Sequence, residues 1–226
     1  MRLVLCLIAA LSMILRPEDV PQAYAPWAPL RIADEPNPVT TLKVLRTERD
    51  AEMCRGVLVG GGITAASLPD FVHSPQCHIR QAVRPSQLTR ARLRPERMRC
   101  GIALRLALWE RHDLQPAARE ILGAEVAEIL HAGAYSCRTI RTTRGASERM
   151  SEHATANAFD ITGFVLSDGR RVILRRDWQG SGAQARFLRA ARDGLCSWFR
   201  VVLGPEYNAL HADHFHVDQG PFLTCR

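Results

Sequence analysis

The chain has 226 residues, of which 46% are hydrophobic and 23% are charged. This composition is that of a globular protein and excludes a wholly disordered chain, and the length suits one well-packed domain with appended segments or two small ones. The net charge of +7 would attract polyanions. No helix-turn-helix, zinc-finger or aromatic RNA-binding signature accompanies that charge, so we expect no nucleic acid partner. Anionic polymers of the cell envelope or lipid headgroups would be equally suitable partners for this positive charge.

Residues 1–25 have the pattern of an export signal. One arginine precedes an apolar run from Leu3 to Leu15, and another follows it. The run suits the core of a signal peptide and is short of the about 20 residues that span a bilayer. Residues 23–25 have the small-x-small spacing of a cleavage site, although Pro26 disfavours cleavage. We expect export to the periplasm or cell envelope. A cleaved signal peptide and a retained anchor that would associate the chain with the inner membrane both stay open.

The next segment is rich in proline, with six prolines between residues 17 and 38. Such a density keeps the backbone extended. We therefore interpret residues 26–42 as a linker and residues 43–226 as the folded domain. The glycines at 60–62 are interpreted as a turn, because the rest of a phosphate-loop pattern does not follow them. A run of six arginines between residues 84 and 99 is interpreted as a solvated face.

Apolar spacing predicts two helices between about residues 97 and 131. Ile102, Leu106 and Trp109 recur at helical intervals. After Pro116, which suits a first helical turn, a second set of apolar residues continues the pattern and Gly133 would end that helix. The apolar positions of the second helix are Ile121, Leu122, Val126, Ile129 and Leu130. A short strand over residues 134–138 is expected next.

The rest of the chain predicts a hairpin, a helix and a final strand. Residues 157–176 alternate in a way typical of two paired strands with a turn at 167–170. A helix over about 182–199 precedes a last strand that would contain residues 211–218. Helices and antiparallel strands in this order favour the α+β class.

Six cysteines remain when Cys6 of the apolar run is set aside: Cys54, Cys77, Cys100, Cys137, Cys196 and Cys225. An even number in an exported chain predicts three disulfides, and the sequence alone leaves the pairing open. Cys225 would hold the carboxyl-terminal tail, with Cys196 as a candidate partner. No CxxC pair occurs, which argues against a cysteine-ligated zinc knuckle.

The most informative stretch is HADHFHVD, residues 211–218, which contains three of the eight histidines of the chain. Strand alternation would send His214 and His216 to the same face. A distant pair, His153 and Asp160, has small residues between its members that leave room for a metal and a substrate. A catalytic zinc usually has three protein ligands and one open position. The sequence therefore predicts a Zn²⁺ site formed by His153, Asp160 and His216, with His214 beside the metal.

These stretches resemble a known family. HATANAFD, residues 153–160, is similar to the first zinc motif of the D-Ala-D-Ala metallopeptidases and murein endopeptidases, although Ala156 stands where those enzymes usually have glycine. Ser151 occupies the position of a serine that commonly precedes this motif, and Arg138 of AYSCRT matches a substrate-facing arginine. The series from AYSCRT to HADHFHVD resembles more closely the bacterial extensin-like C-terminal domain, over about residues 45–226.

The resemblance implies a fold and an activity. The fold would be the hedgehog/DD-peptidase type, with a small antiparallel sheet and flanking helices. The activity would be zinc-dependent hydrolysis of peptide bonds in peptidoglycan, with peptidoglycan peptides as the partner. The alternative is a non-catalytic, zinc-containing envelope module that binds peptidoglycan or a protein.

The roles around the metal would differ from residue to residue. Asp213 and His214 both stay open as the base, because Asp213 falls where many of the peptidases have a glutamate. Arg138 would stabilise the developing oxyanion or bind a substrate carboxylate. His211 and Ser151 are secondary site candidates. The sequence leaves the oligomeric state open.

Overall fold

The structure is a computed structural model that describes residues 19–143 and 145–226. Most of the predicted signal peptide or anchor, residues 1–18, lies outside the described residues. Within the described ranges, none of the helices combines the length and the apolar character needed to cross a membrane.

The elements alternate between helices and short strands along the chain. The helices are α1 (Thr40–Arg49), α2 (Ala51–Gly60), α3 (Cys100–Trp109), α4 (Gln115–Leu122), α5 (Leu174–Asp177) and α6 (Ala183–Trp198), with a π-helical turn at Glu110–Leu114 and 3₁₀ turns at Glu152–Thr155 and Ala209–His211. The strands are β1 (Thr64–Ser67), β2 (Phe71–Val72), β3 (His78–Ile79), β4 (Ala82–Gln87), β5 (Arg92–Leu93), β6 (Met98–Arg99), β7 (Val126–Gly133), β8 (Thr139–Thr142), β9 (Gly145–Met150), β10 (Ala158–Leu166), β11 (Arg171–Ile173), β12 (Val201–Leu203), β13 (Phe215–Asp218) and β14 (Thr224–Cys225). This mixture confirms the α+β class.

The main sheet is large, and the expectation of a small sheet was wrong. Ten strands of the described chain join it, in the order β1-β4-β5-β7-β10-β13-β12-β14, with β11 beside β10 and β6 beside β4. Most pairs are antiparallel, but β5 with β7 and β12 with β14 are parallel. The size comes from short strands between residues 64 and 99, whose apolar runs are too brief to be read as strands from the sequence.

The core lies between this sheet and the helices α3, α4 and α6. Every residue of α3 after Gly101 is buried. All of them are apolar except Arg105, whose guanidinium pairs with Glu48. Trp109 of α3 contacts Phe164 of β10, which in turn contacts Phe187 of α6. Burying such a side chain contributes about 1.5–3 kcal/mol. Strand β10 is thus fixed against the core on one face and flanked by β7 and β13 at its edges.

Two predictions between residues 97 and 138 were wrong. The second helix was expected to reach Gly133, but α4 ends at Leu122 because Gly123 adopts a left-handed conformation with φ of 66°, which glycine accepts without a steric penalty. Residues 126–133 form β7 instead of the end of a helix, because their apolar side chains find partners on β10. Residues 134–138 form no strand.

Three other predictions were confirmed. The hairpin is formed by β10 and β11, and the helix expected over 182–199 is α6. The glycines at 60–62 end α2 in a hydrogen-bonded turn. The last strand, in contrast, begins only at Phe215, so that just the final four residues of HADHFHVD belong to it.

The six cysteines form the three predicted disulfides: Cys54–Cys100, Cys77–Cys137 and Cys196–Cys225. The last of these joins α6 to β14 and holds the carboxyl-terminal tail, as the sequence suggested. Cys77–Cys137 links the region of β3 to the segment that carries Arg138.

The proline-rich segment contributes to the folded core. Leu30 and Ile32 are buried and belong to the main hydrophobic cluster. Lys43 of α1 donates to the carbonyl oxygens of Gln22 and Ala23, at 2.6 and 3.1 Å. The segment therefore packs against α1, while the boundaries at residues 25 and 42 stay a prediction.

Candidate metal centre

His153 is held in place by the tight turn that precedes β10. The Ser151 side chain accepts a hydrogen bond from the backbone N–H of His153 at 3.3 Å and so caps the 3₁₀ turn. Ala156 ends the turn with φ of 49°, a left-handed conformation that favours glycine. A glycine at this position would adopt the same conformation without the steric cost that alanine bears. The turn buries the His153 side chain, which is only 3% exposed.

Asp160 and His216 face each other on adjacent strands. They are directly paired in the register of β10 and β13, which brings Asp160 Oδ1 to 2.9 Å from His216 Nδ1. His153 Nε2 lies 3.1 Å from His216 Nδ1 and 3.2 Å from Asp160 Oδ1. The three residues predicted as ligands therefore converge at one point, and they are the group of the described chain whose donor atoms are placed to hold a metal ion.

A second layer of groups orients both histidines. His153 Nδ1 donates to the carbonyl oxygen of Ala134 at 2.9 Å, which leaves Nε2 facing Asp160. His216 Nε2 donates to Asp218 Oδ2 at 2.8 Å, which leaves Nδ1 facing the same point. Metal-binding histidines usually donate their other ring N–H to a carbonyl or a carboxylate in this way. The ring orientations thus leave His153 Nε2 and His216 Nδ1 as the nitrogens that face the cluster.

Asp218 is itself fixed. Its other oxygen, Oδ1, accepts the backbone N–H of Gly220 at 2.7 Å, and the residue is 7% exposed. The sequence analysis did not identify Asp218. Its signal was present, because position 218 is two residues after His216 and four after His214, so strand alternation places it on the same face.

The charges of the cluster perturb its own ionisation. Burial alone would raise the pKa of Asp160, but the interactions with the neighbouring His153 and His216 outweigh burial and hold that pKa well below its usual range. Burial would lower the pKa of His216, whereas its bonds to Asp160 and Asp218 raise it to about 9. In the absence of a metal, His216 is therefore an imidazolium between two carboxylates. Such perturbed groups are typical of functional sites.

His214 lies beside the three converging residues. Its Nε2 is 3.8 Å from Asp160 Oδ1, while its Nδ1 donates to Asp213 Oδ1 at 2.8 Å. The His214 side chain is 19% exposed and that of Asp213 is 56% exposed. Asp213 therefore faces solvent and orients His214, whose free nitrogen points to the cluster.

His211 and Arg138 complete the surroundings. The ring of His211 lies 5.2 Å from that of His214 and 5.9 Å from that of His216, and its Nδ1 donates to Asn208 Oδ1 at 2.8 Å. Burial, the neighbouring histidines and Arg138 lower the pKa of His211 to about 4, so it is neutral at pH 7. Arg138 is half-buried; burial lowers its pKa, and the charge of Asp160 opposes that shift.

The donor set fits zinc. Donors bound tetrahedrally at the usual zinc distances lie about 3.3 Å apart, and the three observed separations are 2.9, 3.1 and 3.2 Å. Two imidazole nitrogens and one carboxylate oxygen are ligands that zinc prefers. The fold and this cluster define an α+β protein with a candidate His₂Asp metal centre, beside which His214 is 19% exposed.

Two other pockets bring together none of these residues. One, of about 680 Å³, is lined by polar side chains such as Arg90, Arg111 and Glu125. The other, of about 350 Å³, lies beside His131. Among the described residues, neither pocket contains a second group of converging ligands.

The comparison with known families agrees with the motifs. Residues 52–226 match the family described as Extensin-like protein C-terminus. The chain therefore belongs to the extensin-like C-terminal family. No curated protein and no solved structure matches the chain.

Proposed function

We propose that the chain is a zinc-dependent hydrolase of the cell envelope that cleaves peptide bonds in peptidoglycan. The observation that carries this proposal is the convergence of His153 Nε2, Asp160 Oδ1 and His216 Nδ1 within 3.2 Å of one another, with each histidine oriented from behind. A structural zinc usually has four protein ligands, whereas three ligands leave the fourth position for water or substrate, as in a catalytic site.

His153, Asp160 and His216 would hold the zinc, which when bound supplies a Lewis acid that polarises a carbonyl and activates water. The remaining chemistry belongs to the side chains around it. His214 accepts a proton from the attacking water at Nε2 and passes it to the leaving amine. Asp213 holds the ring in the tautomer that leaves this nitrogen free, as the aspartate does in a Ser-His-Asp triad.

We assign the base role to His214 instead of Asp213. The Asp213 carboxylate is engaged with His214 Nδ1 and is more than half exposed, so it is poorly placed to reach a water molecule at the cluster. Arg138 brings a positive charge next to Asp160 and His211. In this role it would bind a substrate carboxylate or the developing oxyanion.

The substrate class follows from the resemblance and from the compartment. The HATANAFD and HADHFHVD motifs are similar to those of the D-Ala-D-Ala metallopeptidases and murein endopeptidases, whose fold would then also be shared. Three disulfides and an apolar amino-terminal run favour an oxidising compartment such as the periplasm. Peptidoglycan peptides are the available substrate there, and the amino-terminal segment would associate the protein with the inner membrane.

The test is digestion of purified peptidoglycan and its muropeptides by the zinc-loaded full chain, followed by mass spectrometry. Wild type is expected to release new peptide fragments. His214→Ala is expected to abolish turnover and to retain one zinc per chain. His216→Ala is expected to lose the zinc as well as the turnover. His73→Ala, which changes an exposed histidine that is not a member of the cluster, is the matched control and keeps both the zinc and the turnover.

The same experiment separates the enzyme from the non-catalytic module. A zinc-binding module would leave every muropeptide intact in wild type, and its binding to cell-wall material would survive the His214→Ala change. That result would overturn the hydrolase proposal for these substrates.

A further inference from the structure

Four large apolar side chains are exposed at the amino-terminal end of the described chain. Tyr24, Trp27, Leu42 and Leu45 are 57%, 54%, 55% and 43% exposed. We refer to these four side chains, together with Arg46 and Arg49, as the amino-terminal face. Clustered exposed apolar residues are uncommon on a monomeric protein and mark an interaction surface.

Trp27 lies next to the leucines of the face because α1 and the preceding segment are hydrogen-bonded together. On a helix, residues three and four positions apart share one side, so Leu42, Leu45 and Arg49 lie in one row. The Arg46 guanidinium donates to the carbonyl oxygens of Pro26 and Trp27 at 3.2 and 3.1 Å. This contact places Trp27 beside that row, and the opposite side of α1 is buried in the core.

The chemistry of the face is that of a membrane interface. Tryptophan and tyrosine concentrate where an apolar phase meets water, and the leucines supply an apolar surface between them. Among the described residues, neither Arg46 nor Arg49 forms an ion pair with a carboxylate, so neither positive charge is compensated. Arg46 donates to the two carbonyl oxygens, whereas Arg49 is exposed to anionic headgroups. A protein partner would not require both exposed aromatic side chains and arginines without a carboxylate partner.

The face also lies close to the most apolar stretch of the sequence. Eight residues lie between Leu15, the end of the apolar run, and Tyr24, and the nine steps from one Cα to the next span at most about 32 Å when extended. A bilayer that receives the run would therefore be within reach of the face, at a high effective concentration.

We propose that the amino-terminal face docks the folded domain on the surface of an anionic phospholipid bilayer. This contact is separate from any insertion of residues 1–18. It would set the orientation of the domain on the membrane and is independent of whether the metal centre is catalytic.

Tryptophan fluorescence tests the proposal, because Trp27 is the exposed tryptophan of the four. Trp109, Trp178 and Trp198 are 0%, 3% and 7% exposed. The full chain is mixed with vesicles of phosphatidylglycerol and phosphatidylcholine, with and without bromine on the acyl chains. We expect a blue shift on binding and quenching by the brominated lipid, and Trp27→Phe should abolish both changes.

Charge and position variants sharpen the result. Arg49→Gln should weaken binding to anionic vesicles about fivefold, and Leu42→Glu should abolish the quenching of Trp27. Leu223→Glu alters a leucine on the carboxyl-terminal tail that is 78% exposed, more than Leu42, and should change neither the binding nor the quenching.

Several outcomes would overturn the proposal. Vesicle-bound protein whose Trp27 stays unquenched would mean that residues 1–18 bind alone. If the emission of Trp27 is already at short wavelength without vesicles, the face is already covered. Residues 3–15 would be the cover if the emission does not depend on protein concentration, and a second copy of the chain if the emission shifts further to the blue as the concentration rises.

Discussion

Asp218→Asn should weaken zinc binding strongly although Asp218 is not a ligand. In the native protein Asp218 Oδ2 accepts from His216 Nε2, which leaves Nδ1 free for the metal. An asparagine of the same shape keeps Oδ1 on the Gly220 N–H and presents an amide N–H to the ring. His216 must then accept at Nε2 and carry its proton on Nδ1, the nitrogen that a metal needs.

The size of the effect follows from that reversal. Loss of an outer partner of a metal-binding histidine typically lowers affinity about 10–100-fold, which equals about 1.4–2.7 kcal/mol at 25 °C. Because Asp218 is almost fully buried and water cannot replace it, we expect a loss near the upper end. Competition with a zinc chelator measures the dissociation constant, and circular dichroism checks that the variant is folded.

Asp213→Asn is the matched control. Asp213 also bonds to a histidine, but it is exposed and its partner His214 is not among the predicted ligands. Its zinc affinity should stay within about threefold of wild type while turnover falls. Equal zinc affinities for Asp218→Asn and wild type would refute the claim that Asp218 orients a ligand.

Three further predictions concern protonation and stability. Zinc binding at pH 7 should release about one proton, because the pKa of His216 is raised to about 9 and the ring stays charged until the metal displaces its proton. The affinity for zinc should therefore rise with pH up to about 9. Calorimetry in buffers of different ionisation enthalpy measures the release, and no release would contradict the proton on His216. Ala156→Gly should raise the free energy of unfolding by about 1 kcal/mol, because glycine adopts the left-handed conformation of this position without strain. Ala158→Gly in β10 is the control and should lower the free energy of unfolding. Urea titration compares the two variants, and a lower free energy of unfolding in both would be inconsistent with strain at Ala156. Glu110→Ala should lower the free energy of unfolding by about 3 kcal/mol or more. The buried Glu110 carboxylate accepts hydrogen bonds from the backbone N–H groups of residues 89–91, and these groups would lose their partner. A melting temperature unchanged from wild type would argue against this role.

The sequence was sufficient to identify the cluster because its members lie in short motifs. Histidine and aspartate separated by small residues, and alternating histidines in a strand, are local patterns that survive without knowledge of the fold. That His153, Asp160 and His216 meet depends on one fact beyond the motifs, the register of β10 with β13. The similarity of the motifs to known metal sites supplied that fact indirectly.

The fold was harder to predict where apolar spacing fits two structures. Val126, Ile129 and Leu130 are compatible with a helix, and the strand that they form is stabilised by β10, which lies more than thirty residues later. Tertiary pairing decided against local periodicity at this position. The short strands before residue 100 were missed for the same reason, since their partners are distant in sequence.

The central claim is that His153, Asp160 and His216 together bind zinc. X-ray absorption at the zinc edge tests it most directly, on the full chain loaded with one equivalent of zinc. We predict a first shell of nitrogen and oxygen at about 2.0–2.1 Å with the outer scattering of two imidazoles, reduced to one imidazole in His216→Ala. A shell of sulfur at about 2.3 Å, or one without imidazole, would contradict the account.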